Sequence, residues 1–227
     1  MDGFSLARRA SAEFVGTAFL TLAIIGSGIA ASRLSQGDQG FTLVANAIAT
    51  GLVLVAIILA LGSVSGGHLN PAVTVVAWMT GALSRSEAGV YALAQLGGAI
   101  FGALVVNLMF GLAAIDVSQH AHSGWELWIS EVVATFGLVL VVFGIVRSGR
   151  SAAVPFAVGA YIAAAILFTS STAFANPAAT VARSLTDTFA GIAPQSVPMF
   201  VLAEFIGAGL ALAFLRFLFP SPSTDAE

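Results

Sequence analysis

Cysteine and lysine are both absent from this 227-residue chain, and only 8% of its residues carry charge. Without cysteine there is no disulfide framework and no thiolate metal site, so the redox compartment is undetermined. The three histidines, His68, His120 and His122, lack zinc-site spacing with acidic partners, so no metal and no cofactor is expected. Eight arginines carry all the fixed positive charge against a net charge of −3, and they form no basic stripe, which argues against nucleic acid as a partner. No clustered nucleophile, base or nucleotide-binding glycine loop appears, so an enzyme or an ATP-driven pump is disfavoured.

What the chain has instead is hydrophobic length. At 58% hydrophobic residues and a mean hydropathy of +0.99, it has too few polar residues to cover a water-soluble globule, so a lipid bilayer is the expected solvent. Arg8 and Arg9 ahead of an apolar run imitate a secretory signal. The run over 10–31 nevertheless reaches the roughly 20 residues a crossing needs, and it contains Glu13, which a signal sequence would avoid. Full spans are expected near 10–31, 41–62, 88–113, 125–146, 153–171 and 199–219. Six crossings return both termini to one side. Arg8, Arg9, Arg85, Arg147, Arg150 and Arg216 lie on that side and only Arg33 and Arg183 on the other, which predicts cytoplasmic termini. Short loops and tails fit a bacterial inner membrane.

Two further apolar segments, 70–80 and 176–186, are too short to cross. Each opens with Asn-Pro-Ala, and NPAVTVVAWMT agrees with NPAATVARSLT at six of eleven positions. The preceding helices match as well: AEFVGTAFL from Ala12 resembles SEVVATFGL from Ser130. The expected fold is therefore an all-α membrane protein, a single domain over 1–227. It has six transmembrane helices and two re-entrant half-helices, in a repeat over 10–113 and an inverted repeat over 125–219.

Asparagine caps a helix start and proline suits its first position, so Asn70, Pro71 and Ala72, like Asn176, Pro177 and Ala178, each begin a half-helix. About ten residues at 1.5 Å each reach halfway across a roughly 30 Å core, so the two positive dipole ends meet near the midplane and disfavour cations. The Asn70 and Asn176 amides are then free to donate to a passing neutral solute. Non-helical backbone in a membrane is tolerated where it lines a watery path, which predicts acceptor carbonyls at Gly66, Gly67 and His68 on one side and Thr172, Ala173 and Phe174 on the other.

SGGHLNPAVT and FANPAATVARSL, with AEFVGT, YALAQLGGA and AEFIGA, resemble the paired loops and helix segments of the aquaporin, or major intrinsic protein, family from Ala12 to Phe219. The resemblance implies a passive channel, a right-handed helix bundle and a homotetramer with one pore per subunit. It also implies that Glu13 and Glu131 hydrogen-bond the half-helix loops, with interfacial placement as the plainer alternative. Glu204 is a third intramembrane carboxylate, and Gln95 reads as a bridge between helices. Family spacing sets the selectivity filter at Thr50, Ala164, Ala173 and Ala179. The family's usual arginine after the second motif is absent: Ala179 stands there, and Arg183 follows four residues later, about 6 Å farther along. Two placements stay open for Arg183, the outer mouth of the pore or the headgroups.

A ring of those four small residues is expected to be wide and uncharged unless Phe174 folds inward. NPAATVARSLTDTFAGIAP further resembles a bacterial branch often associated with arsenic resistance. The implied solutes are small and neutral: water, glycerol or other polyols, urea and undissociated arsenous acid. A proton-coupled transporter using the intramembrane glutamates and a non-conducting structural protein are the alternatives.

Overall fold

The computed structural model describes residues 3–219, so the extreme termini, whose side of the membrane the arginine count addresses, fall outside it. Among the described residues there are eight α-helices and no strand. In chain order they are α1 (Leu6–Leu34), α2 (Gln39–Ser65), α3 (Pro71–Met79), α4 (Arg85–Met109), α5 (Trp125–Arg147), α6 (Val154–Phe168), α7 (Pro177–Arg183) and α8 (Val197–Leu218). Six of the helical segments are long and apolar enough to cross a membrane, and α3 and α7 are not.

The boundaries differ from the hydropathy windows where capping chemistry intervenes. Ser5 caps α1 and Asp38 caps α2, so both begin before their apolar windows. Ser84 and Glu87 form a reciprocal capping box at the start of α4. That helix stops at Met109 because Gly111 takes the left-handed conformation, with φ of 73°. At seven residues α7 is shorter than the eleven-residue segment read from the sequence.

α1 packs on α2 and α4, α5 packs on α6 and α8, and α2 meets α6 across the middle. Glycine allows these close crossings. A Cβ on Gly98 or Gly102 would strike the carbonyl oxygens of Phe14 and Ala18 on α1, and one on Gly207 would strike that of Val132 on α5. Gly51 and Gly159 stand in the same relation at the α2–α6 crossing, where a Cβ on Gly51 would lie 2.7 Å from the Gly159 oxygen. Without a hydrophobic driving force between helices in lipid, close backbone approach of this kind carries the packing. Leu52, Leu59, Leu93, Phe101, Phe156 and Phe217 stay exposed on the periphery, as a bilayer-facing surface requires.

Candidate functional site

Both short helices begin as their first residues dictate. Asn70 caps α3 by accepting from the Ala72 N–H, and Asn176 caps α7 by accepting from the N–H groups of Ala178 and Ala179. Pro71 and Pro177 follow at the first helical position, where no N–H is needed. The two caps also clasp each other. Asn70 Nδ2 donates to the Ala175 carbonyl at 2.7 Å, and Asn176 Nδ2 donates to the Leu69 carbonyl at 2.8 Å. The helix starts therefore face one another, and one hydrogen of each amide is spent on the clasp, leaving one.

The segments before each motif are held in the left-handed region at non-glycine residues, Leu69 on one side and Thr172, Ala173 and Ala175 on the other. Such backbone is costly and persists only when its surroundings over-determine it. Buried carboxylates do that here. Glu13 accepts from Ser65 Oγ and from the N–H groups of His68 and Leu69, at 2.6, 3.0 and 2.6 Å. Glu131 accepts from the N–H groups of Phe174 and Ala175 at 2.9 and 2.8 Å. Gln95 donates to Glu13 and to Thr74 Oγ1, while Glu204 accepts from the Asn176 N–H and Thr180 Oγ1. All three glutamates are fully buried, and none of them lines the lumen.

With the N–H groups turned toward the carboxylates, the loops present their other face to a cavity of about 70 Å³, room for a few waters. Gly66, Gly67, His68, Asn70, Thr172, Ala173, Phe174 and Asn176 line it, together with Thr50 of α2. Much of the remaining lining is apolar, including Leu54 and Ile58 of α2 and Val154, Val158, Ile162 and Ile166 of α6. Pro71, Ala72, Pro177 and Ala178 are buried behind the wall and serve as helix starts.

Two filter positions expected from family spacing lie elsewhere. Ala164 is exposed on the periphery. The α6 residues that line the lumen recur every four positions, and Ala164 is two from both Ile162 and Ile166, about 200° around the helix. Ala179 is 1% exposed and packed in the core, and its short methyl does not reach the lumen. Arg183 does. Seven residues after Asn176 it returns to nearly the same helix face, and it lines the cavity at 7% exposure, so it does not reach the headgroups. Its Nε donates to the Ala190 carbonyl, and its guanidinium carbon lies 3.3 Å from the centre of the Phe174 ring. The lumen is thus not uncharged at this level, because Arg183 lines it beside Phe174. Asn46, one turn before Thr50 on the lumen face of α2, was missed by the sequence reading; four-residue spacing from Thr50 was the signal.

The family model described as "Major intrinsic protein" matches residues 2–214. The chain belongs to the major intrinsic protein family. It is accordingly a passive membrane channel and not an enzyme. Among its relatives, Aquaglyceroporin AqpS of Rhizobium meliloti (strain 1021) is 48% identical over 218 residues, 96% of this chain and 93% of the relative. Aquaporin AqpM of Methanothermobacter marburgensis is 33% identical, over 94% and 98% of the two chains. The solved aquaglyceroporin from Plasmodium falciparum superposes with a TM-score of 0.68 at 21% identity, covering 93% of this chain and 96% of that one, a likeness of fold.

Proposed function

We propose that the lumen conducts small neutral solutes, water and glycerol foremost, past the paired motifs Asn70–Ala72 and Asn176–Ala178. The observation that carries this is the two-sided lumen. Asn70, Asn176 and Arg183 line it with side chains that can donate, the two loops line it with backbone that can accept, and aliphatic side chains of α2 and α6 line it as well. A polyol needs both, hydrogen bonds for its hydroxyls and an apolar wall for its carbons. The names of the AqpS and Plasmodium relatives support the same solute. Arg183 and the facing N-termini of α3 and α7 disfavour cations, because each adds positive potential where a cation would lose its water. The constriction is formed by Thr50, Ala173, Phe174 and Arg183. Urea and undissociated arsenous acid belong to the same solute class, the latter supported by the resemblance of the second loop to the arsenic-associated branch.

The reading extends to assembly and placement. The family resemblance supports a homotetramer, the arginine count supports cytoplasmic termini in a bacterial inner membrane, and the parallel order of α1–α4 and α5–α8 supports one domain of two inverted repeats. Proteoliposomes test the function: swelling and solute uptake are expected to exceed protein-free vesicles for water and glycerol, with no response to an imposed pH gradient. Background permeability to both solutes would sink the proposal, and gradient-driven uptake would favour a coupled transporter.

A further inference from the structure

Three helices end together at one surface of the bundle, away from the lumen. α5 ends at Arg147 and α8 at Leu218, each long enough to cross the membrane, and the half-helix α3 ends beside them at Met79. Their last residues enclose an open cleft of about 370 Å³, lined by Met79, Thr80, Arg147, Arg216 and Phe219. Among the described residues the lining holds two guanidiniums and no carboxylate.

Helix C-termini leave carbonyls without intrahelical partners, and here the arginines take them. Arg147 Nη1 donates to the Leu215 and Phe219 carbonyls at 3.4 and 2.9 Å, and Arg216 Nη2 donates to the Met79 carbonyl at 3.2 Å. Each guanidinium is thereby pinned by one nitrogen. The Nε–Nη2 edge of Arg147 and the Nε and Nη1 groups of Arg216 meet no protein acceptor among the described residues, and neither arginine has an acidic partner there. A free guanidinium edge matches phosphate oxygens two at a time. The three helix ends bring negative potential of about half a charge each, which the two full charges exceed.

The rim of the cleft separates a lipid from a free anion. Trp78, Met79, Phe217 and Leu218, in or next to the lining in sequence, are all well exposed. Apolar surface beside a charged cleft suits the boundary of a bilayer, where acyl chains and phosphates lie at adjacent depths. We propose that Arg147 and Arg216 hold the phosphate of an anionic phospholipid, the free edge of Arg147 and the spare N–H groups of Arg216 donating to its oxygens while the acyl chains pass Met79 and Phe217. A zwitterionic headgroup brings a cation to a site that already holds two, so a net anionic lipid is preferred.

The test titrates full-length protein in neutral detergent with dioleoyl phosphatidylglycerol or dioleoyl phosphatidylcholine, reading lipid bound per chain by native mass spectrometry. Wild type is expected to bind phosphatidylglycerol saturably and at least about tenfold more tightly than phosphatidylcholine. Arg216→Gln, whose amide can still donate to a carbonyl, is expected to weaken phosphatidylglycerol at least about tenfold, the loss of one hydrogen bond to a charged group. Arg85→Gln, at an exposed arginine outside the cleft, is expected to leave it unchanged. Equal weakening by Arg85→Gln would reduce the binding to diffuse surface charge and overturn the site. Inorganic phosphate that raises the melting temperature as much as phosphatidylglycerol does would make this a free-anion site and overturn the lipid. Asp225 and Glu227 follow in the sequence. Lipid binding that appears only in the Asp225→Asn, Glu227→Gln protein would give the cleft to the chain's own C-terminal carboxylates and likewise overturn the proposal.

Discussion

At the residue scale, the buried carboxylates fasten the two loops while Arg183 lines the lumen beside Phe174. Glu131 uses both oxygens on backbone N–H groups of a strained segment. Glu131→Gln keeps one acceptor and turns an NH₂ toward a donor, so it is expected to destabilise the protein by about 2–3 kcal/mol, read as a lower melting temperature in detergent. Arg183→Ala removes the guanidinium that leans on Phe174. It is expected to admit solutes bulkier than glycerol, with sorbitol uptake by proteoliposomes as the measurement, and unchanged exclusion would show that the constriction lies elsewhere. Ala179→Arg, which family spacing would treat as restoring a filter arginine, instead drives a second guanidinium into a core position of 1% exposure. Loss of folded protein on size-exclusion chromatography is the expected result, because a buried unpaired charge is far costlier than a narrowed pore.

At the scale of elements, the half-helices work because each is short and each is clamped at its start. α3 and α7 have nine and seven residues, too few to be stable alone, and they persist through the Asn clasp, the capping bonds and the loops fastened to Glu13, Glu131 and Glu204. The long helices that frame them depend on glycine at their crossings. Gly102→Val places a branched side chain against the Ala18 carbonyl, and overpacking of this kind is expected to cost at least about 1–3 kcal/mol. Thermal denaturation of the purified variant checks it, with Gly89→Val on the same helix as the control, since nothing lies within 4 Å of a Cβ there.

At the scale of the molecule, the loop joining the two halves folds over the end of α7. Asp116 and Ser118 donate backbone N–H groups to Leu185 and Ser184, and Ala193 donates to the His120 carbonyl. His122 in this loop donates its backbone N–H to Ser196 Oγ, and its ring packs edge-on against Phe174 and Phe200. Burial pushes the His122 pKa below the ordinary histidine value, opposed by the hydrogen bond to the His120 carbonyl and reinforced by the nearby Arg183 and His120 charges. A folded pKa below the unfolded one means that the unfolded chain binds the extra proton first. Stability is therefore full above about pH 6.5 and declines as the pH falls toward the lower folded value. His122→Gln is expected to flatten that decline, measured as melting temperature against pH.

Hydropathy and the duplicated Asn-Pro-Ala determined six spans, two half-helices and the family, because span length and helix-start chemistry are local properties of the chain. The same local chemistry made Thr50, Ala173 and the residues of the two loops legible as candidates for the lumen, and all of these line the cavity. The outward face of Ala164 and the buried place of Ala179 were beyond it, and it left the placement of Arg183 open. Spacing from a motif counts residues, whereas lining a pore depends on which way a helix is rotated about its axis, and that rotation was decided only when α2 met α6 at Gly51 and Gly159 and α7 docked beneath the loop that follows it. The sequence by itself thus determined that there is a pore, and the tertiary packing decided which side chains meet the solute.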